Sequence, residues 1–342
     1  MSGIETGSLW FNLTLFVGCA LAILVAGSHI TRIVDQLADR IRIGEALAGG
    51  VLLGASTSLS GSVLSVTAAW NGHPELAVSN ALGGIAVQTV FLAIADITYR
   101  RANLEHAAAS AENMMQTALL IALLALIALA PLLPNVTLWE IHPITFCLLL
   151  LYLYGLSLVR RVRQRPLWWA ARTRSTRPDI PDRRNTTLSL PLLLVKFLGL
   201  MLMLGLSGWL LEHAASGIAE RTGLGETLIG VLLTATSTSL PELVTCLAAV
   251  RQGSLTLAVG GIIGGNAFDT LFTAASDIAY RDGSIYHVIS DTTLAWTVLT
   301  LLMSAFLMMG LIRREEHGFA GIGFESLAVL LLYAVGLAVL LI

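Results

Sequence analysis

Apolar residues run along this chain in long blocks separated by short polar links, with neither strand alternation nor the one-sided stripe of a surface helix. Ten blocks reach the roughly 20 residues that a helix needs to cross about 30 Å of hydrocarbon. They lie near 9–30, 43–70, 75–97, 113–133, 138–159, 188–212, 225–250, 255–278, 289–312 and 321–342. Residues 31–42 differ. There Ile33, Val34, Leu37, Ala38 and Ile41 share one face, which predicts an amphipathic helix lying in the interface. The one long polar stretch, 160–187, leaves five blocks on each side.

Composition agrees with the pattern. Of 342 residues 56% are hydrophobic and only 12% charged, with a mean hydropathy of +0.79, where a soluble domain carries about 25% charged. The predicted fold is an all-α polytopic membrane protein, so the net charge of −2 says nothing about acidic or basic partners. The placement of charge says more. Nine arginines lie in 160–187, and with Arg32, Arg40, Arg42, Arg100, Arg101, Arg251, Arg313 and Arg314 they put 17 of the 19 arginines on one side. The positive-inside rule makes that side cytoplasmic, with both termini outside a cell membrane. Cys19, Cys147 and Cys246 all fall within apolar blocks without metal-ligand spacing, and read as buried free thiols.

Arg221 and Arg281 are the exceptions, and they reveal a repeat. A displacement of 181 residues pairs them with Arg40 and Arg100, and 27 of the 63 positions from 38 to 100 match their partners without a gap. Ser56-Thr57-Ser58-Leu59 pairs with Ser237-Thr238-Ser239-Leu240, and Gly83-Gly84 with Gly264-Gly265. A displacement of five spans is odd, so the copies cross the membrane in opposite directions. The expected domains are a first five-helix repeat (1–159, motif 54–88), the Arg-rich cytoplasmic link (160–187) and a second repeat (188–342, motif 235–269). Inverted repeats of this kind belong to alternating-access transporters, with substrate near the midplane.

The second copy carries the candidate chemistry. Pro241 has no N–H, so the carbonyl of Ser237 loses its helical partner at mid-span. Thr238 and Glu242 are four apart and share a face, and Asn266 and Asp269 follow on the next span, three apart. Gly260-Gly261 and Gly264-Gly265 form a small-residue surface suited to close helix packing. A carboxylate at mid-bilayer costs roughly 2.5–3.5 kcal/mol on insertion scales, so Glu242 is read as functional. Two carboxylates, an amide and hydroxyls suit hard cations and offer nothing soft for zinc or copper. Taken alone, each Ser or Thr could bond back to its own helix and each glycine pair could serve packing only. Asp96 and Asp277 read as interfacial caps or partners of Arg100 and Arg281, no histidine is assigned a role, and Glu75 is expected to face water.

Thr238-Ser239-Leu240-Pro241-Glu242 followed by Gly260 to Asp269 resembles the second signature repeat of the sodium/calcium exchanger family, within the cation/Ca²⁺ exchanger superfamily. The ten-span layout is similar to its prokaryotic members. The resemblance implies that Thr238, Ser239 and Glu242 are cation ligands and that Asp269 is a ligand or counter-charge. Gly265 stands where the family has a serine. The first repeat departs further: Thr57 and Ser58 match, but Ser60-Gly61 replaces Pro-Glu and Gln88 replaces the Asn or Asp. The helix there is expected to be loosened at Gly61.

The expected cation-binding set is Glu242, Asp269, Thr238, Ser239, Ser237, Asn266, Thr57, Ser58 and Gln88, with Glu242, Asp269, Thr238 and Thr57 as metal ligands. The expected function is a secondary antiporter exchanging Ca²⁺ or a related cation for Na⁺ or H⁺. The alternative is a transport-inactive or sensor-like cation-binding protein with the exchanger fold. No cofactor is implied beyond the transported ions; the partners are inorganic cations and the bilayer, without nucleic acid. The chain does not read as an enzyme. It has no Walker-type loop, and Asp96 and Asp277 lack an intramembrane protease's Gly-x-Gly-Asp setting. A monomer is compatible with the pattern, which leaves the oligomeric state open.

Overall fold

The computed structural model describes residues 8–41, 54–99, 101–165, 167–168, 171, 189–318 and 321–340. The start of the second block (43–53), Arg42, Arg100 and most of the Arg-rich link lie outside the described residues.

The first half contains α1 (Leu9–Ile41), α2 (Gly54–Thr57), α3 (Leu59–Trp70), α4 (Pro74–Thr98), α5 (Leu104–Ala107), α6 (Ala111–Leu129) and α7 (Pro143–Gln164). The second contains α8 (Leu190–Thr222), α9 (Glu226–Leu228), a π-helical turn over Ile229–Thr234, α10 (Ala235–Thr238), α11 (Leu240–Gln252), α12 (Leu255–Ala279), α13 (Asp291–Arg313) and α14 (Phe324–Leu340). Among the described residues six helices are long and apolar enough to cross a membrane, or seven if the bent pair Glu226–Thr238 and Leu240–Arg251 is one span. This is a multi-pass membrane protein. The bounds of α1 and α8 differ by 181 at both ends, and so do those of α4 and α12. Gly72 and Gly253, again 181 apart, hold φ of +83° and +86° where α3 turns into α4 and α11 into α12, a backbone region that a glycine enters without a Cβ penalty.

The buried centre is α4, with 83% of its apolar window inside the molecule against 17% for α8. Outward faces are apolar too: Leu198, Leu202 and Leu206 on α8 and Leu331, Val335 and Val339 on α14 are exposed. Lipid covers such faces, so helix association rests on packing and interhelical hydrogen bonds of about 0.6 kcal/mol each. Gly83 brings α4 against the π-helical turn, since a Cβ there would lie 2.6 Å from the Val231 backbone.

Several expectations change. Residues 31–41 do not form a separate interfacial helix; they continue α1 to Ile41, and Ile33 and Leu37 bury against Leu193 of α8. Tertiary packing takes the stripe that the interface was expected to take. Glu75 is half-buried and accepts from the hydroxyls of Thr227 (3.1 Å) and Thr293 (2.5 Å) and from the Ser290 amide, tying α4 to the start of α13. Of the two readings of Asp277, cap or partner of Arg281, the structure favours the cap: it accepts from the backbone amides of His142 and Ile285 and from Thr145. Cys19 and Cys246 are buried, but Cys147 is exposed on the outward face of α7. Gly260 and Gly264 face the side chains of Asn113 and Gln116 on α6 rather than a neighbouring backbone.

Candidate functional site

Both halves break a helix at the same place. Ser239 (φ −94°, ψ 2°) separates α10 from α11, and Ser58 (φ −79°, ψ 1°) separates α2 from α3. Pro241 explains the first break, where the flanking pair bends by 47°. The matching first-half stretch, Ser56 to Gly61, has no proline, yet the break falls at Ser58 and not at Gly61, where loosening was expected. The chain there is shaped by what it packs against. Asn80 Nδ2 on α4 donates to the Gly61 carbonyl at 3.2 Å and to Ser65 Oγ at 2.9 Å.

The two breaks meet α4 and α12 around a cavity of about 10 Å³, near the minimum that holds a single water. Glu242 and Asp269 reach it from the second half, Ser58, Asn80 and Gln88 from the first. Ser58 Oγ donates to Glu242 Oε1 at 3.3 Å and also reaches the Asp269 carboxylate. Gln88 Nε2 donates to Asp269 Oδ2 at 2.7 Å and to Ser239 Oγ at 3.2 Å. Thr57 also bonds the Glu242 carboxylate. Both acids are buried, at 5% and 2% exposure. Among the described residues no Lys, Arg or His lines the cavity.

What remains unpartnered is the informative part. Glu242 Oε2, Asp269 Oδ1, Gln88 Oε1 and Asn80 Oδ1 are buried without a hydrogen-bond partner. All four are oxygens, and all belong to residues that line the cavity. Buried acceptors left in that state cost about 1–3 kcal/mol each. A hard cation satisfies several oxygens at once, and nothing here offers sulfur or imidazole to a softer metal.

Of the residues expected from sequence, the structure brings Glu242, Asp269, Thr238, Ser239, Ser58 and Gln88 to the cavity wall. The Thr238 hydroxyl nonetheless donates back to Thr234 O at 3.0 Å and Ala235 O at 3.3 Å, so only its lone pairs face outward. Thr57 touches Glu242 from behind the wall. Ser237 is buried away from the wall, and Asn266 donates to Thr89 Oγ1 at 3.1 Å instead of facing the cavity. Gly61, Asn80, Gly84 and Phe272 join the wall from outside the expected set. Asn80 carries a signal, an amide in mid-helix eight residues before Gln88. Phe272 accounts for the missing first-half glutamate: a Cβ on Gly61 would lie 3.0 Å from its ring and 3.6 Å from Thr238 Oγ1. The Phe272 ring lies close beside Gly61, where any side chain would crowd it.

The chain is similar to known proteins in sequence and in fold. The chain is 28% identical over 313 residues to the putative antiporter CaxA of Alkalimonas amylolytica, covering 88% of this chain and 92% of that one. It is 34% identical over 93 residues to the sodium/calcium exchanger MaX1 of Methanosarcina acetivorans, 27% of each chain. Its fold resembles the solved sodium-calcium exchanger NCX_Mj, with a TM-score of 0.63, 18% identity and coverage of 96% and 99%. It also resembles native YfkE, with a TM-score of 0.64, 16% identity and coverage of 96% and 92%. The sequence model of the sodium/calcium exchanger protein family matches residues 11–163 and again 191–342, and the chain belongs to that family.

Proposed function

We propose that the protein is a secondary antiporter that exchanges Ca²⁺ or a related cation for Na⁺ or H⁺ across the cell membrane. The observation that carries this reading is the small cavity with two buried carboxylates, four unpartnered oxygens and, among the described residues, no cationic side chain. The cargo ion is bound by Glu242, Asp269, Ser58, Ser239 and Gln88, with Thr238 and Thr57 supporting them. Two carboxylates balance one Ca²⁺ or two monovalent ions, so a load of three Na⁺ does not fit. A proton is the natural alternative to a metal ion at a desolvated pair of carboxylates, which tilts the counter-ion toward H⁺ or a reduced Na⁺ number.

Ten spans in two inverted five-helix repeats, 1–159 and 188–342, belong to the same proposal. The shared displacement of 181 in helix bounds and the two separate blocks of the family match support it. Alternating access proceeds by rocking of the helices that flank Ser58 and Ser239. The arginine distribution supports a cytoplasmic 160–187 link and external termini.

The test is ⁴⁵Ca²⁺ uptake into proteoliposomes under opposed Na⁺ and pH gradients applied separately. Uptake driven by the pH gradient alone supports proton exchange, and uptake driven only by Na⁺ removes that version. Specific Ca²⁺ binding with no uptake under either gradient favours a second reading, an ion-holding protein that does not transport. The observation behind that reading is the first half's missing glutamate: Gly61 stands in its place, with the Phe272 ring crowding any side chain there.

A further inference from the structure

Two corners of the molecule are built on the same aspartate. Asp277 accepts from Ile285 N at 3.0 Å through Oδ1 and from His142 N at 2.9 Å through Oδ2. Asp96 accepts from Leu104 N at 2.7 Å through Oδ1 and from Gly323 N at 3.0 Å through Oδ2. Asp96 and Asp277, Leu104 and Ile285, and His142 and Gly323 each stand 181 positions apart. The Asp277 corner is closed by hydroxyls, because Thr145 Oγ1 lies 2.6 Å from Asp277 Oδ2 and 2.9 Å from the Tyr286 hydroxyl. In the Asp96 corner the position of Tyr286 is taken by Glu105, that of Ile144 by Glu325 and that of Thr145 by Ser326. Two acids have been added where the counterpart corner holds without them.

These acids do not face water. Glu105 is 1% exposed and Glu325 2%. Carboxylate oxygens of Asp96, Glu105 and Glu325 lie within 4.8 Å of one another, the spread of ligands across one Ca²⁺ bound at about 2.3–2.6 Å. Glu105 and Glu325 reach each other carboxyl to carboxyl, and neither Glu105 Oε2 nor Glu325 Oε2 accepts from an amide, hydroxyl or cationic donor. The buried Ser326 hydroxyl, which stands where Thr145 reaches its aspartate, has no hydrogen-bond partner. Gly310 and Gly323 leave room for the Glu325 side chain, which a Cβ at either position would overlap. Buried charges cost several kcal/mol each unless paired or bound to a metal.

We propose that Asp96, Glu105 and Glu325 form a second cation site, separate from the central cavity, that takes a hard divalent ion of the Ca²⁺ class. The site lies where the end of α4 meets the start of α14, so a bound ion ties the helix that carries Gln88 to the last helix. It rests on its own geometry and not on exchange at the central cavity.

Equilibrium dialysis of ⁴⁵Ca²⁺ with the purified full chain tests it. In a Glu242→Gln/Asp269→Asn background, which disables the central cavity, one Ca²⁺ per chain is expected to remain. That ion is expected to be lost when Glu105→Tyr and Glu325→Ile are added, substitutions that copy the Asp277 corner and so keep a packing the fold already uses. Single Glu105→Gln and Glu325→Gln changes in the same background are each expected to weaken binding at least tenfold, which keeps the test open should the double graft misfold. Loss of all Ca²⁺ in the background variant while wild type binds would overturn the second site, and so would residual binding that survives the graft. Failure of the central reading looks different: wild type and the background variant then bind the same amount.

Discussion

Gln88 and Asp269 occupy the same position in the two halves of the chain, 181 residues apart, and they hydrogen-bond to each other at 2.7 Å. The amide of one half thus holds the acid of the other in place. A pair related in this way is the simplest physical link between the helical scaffold, which is shared, and the charge, which is not. Gln88→Ala leaves Asp269 Oδ2 without its donor, at about 1–3 kcal/mol. The expected result is a change of about tenfold or more in Ca²⁺ affinity by equilibrium dialysis, with the elution profile in detergent unaltered.

Ser58 is the hydroxyl that reaches both carboxylates. Its replacement by alanine is expected to weaken Ca²⁺ binding by about threefold to tenfold, in line with about 0.5–1.5 kcal/mol for one hydrogen bond. Ser237→Ala is the matched control. It removes a buried hydroxyl from the same sequence motif but away from the cavity wall, and binding is expected to stay within twofold.

Gly61→Glu would restore the glutamate that the family carries in its first repeat, but Phe272 stands in the way. Overpacking of this kind costs about 1–3 kcal/mol. The single variant is expected to lower the melting temperature in detergent, and Gly61→Glu/Phe272→Ala to recover part of it. If the single variant melts like wild type, the ring does not fill that space.

How far the sequence alone reaches is visible in these same residues. Glu242 and Asp269 stand out because a carboxylate within an apolar block is costly unless it meets an ion, a proton or a partner. Gln88 follows from register, once the displacement of 181 is known. Asn80 escapes notice because one amide among apolar neighbours looks like any buried polar residue until its partner, the Gly61 carbonyl, is seen. The break falls at Ser58 instead of Gly61 because no proline marks it and packing alone sets it. The 31–41 stripe is legible as a stripe, but which surface covers it, lipid headgroups or Leu193, is a long-range question. Glu105 and Glu325 carry no signal until both are seen beside Asp96.

A pH effect is expected at one end of the molecule. His73 Nδ1 lies 2.6 Å from Glu226 Oε1, and this hydrogen bond holds the His73 pKa above its usual value of 6.5. The charged form is favoured in the folded state, so the added stability is complete below about 6.5 and fades as pH rises through the raised value. Both side chains are about a quarter exposed, at 26% and 28%, which limits the effect to about 1 kcal/mol. The melting-temperature gap between wild type and His73→Ala is expected to shrink as pH is raised; a gap that widens would contradict the assignment.

The central claim is that Glu242 binds the ion that moves. The direct measurement is initial ⁴⁵Ca²⁺ uptake into proteoliposomes driven by an outward H⁺ or Na⁺ gradient, comparing wild type with Glu242→Gln at equal reconstituted protein. The account predicts gradient-driven uptake for wild type and background-level uptake for the variant. Equal uptake by the two proteins would contradict it.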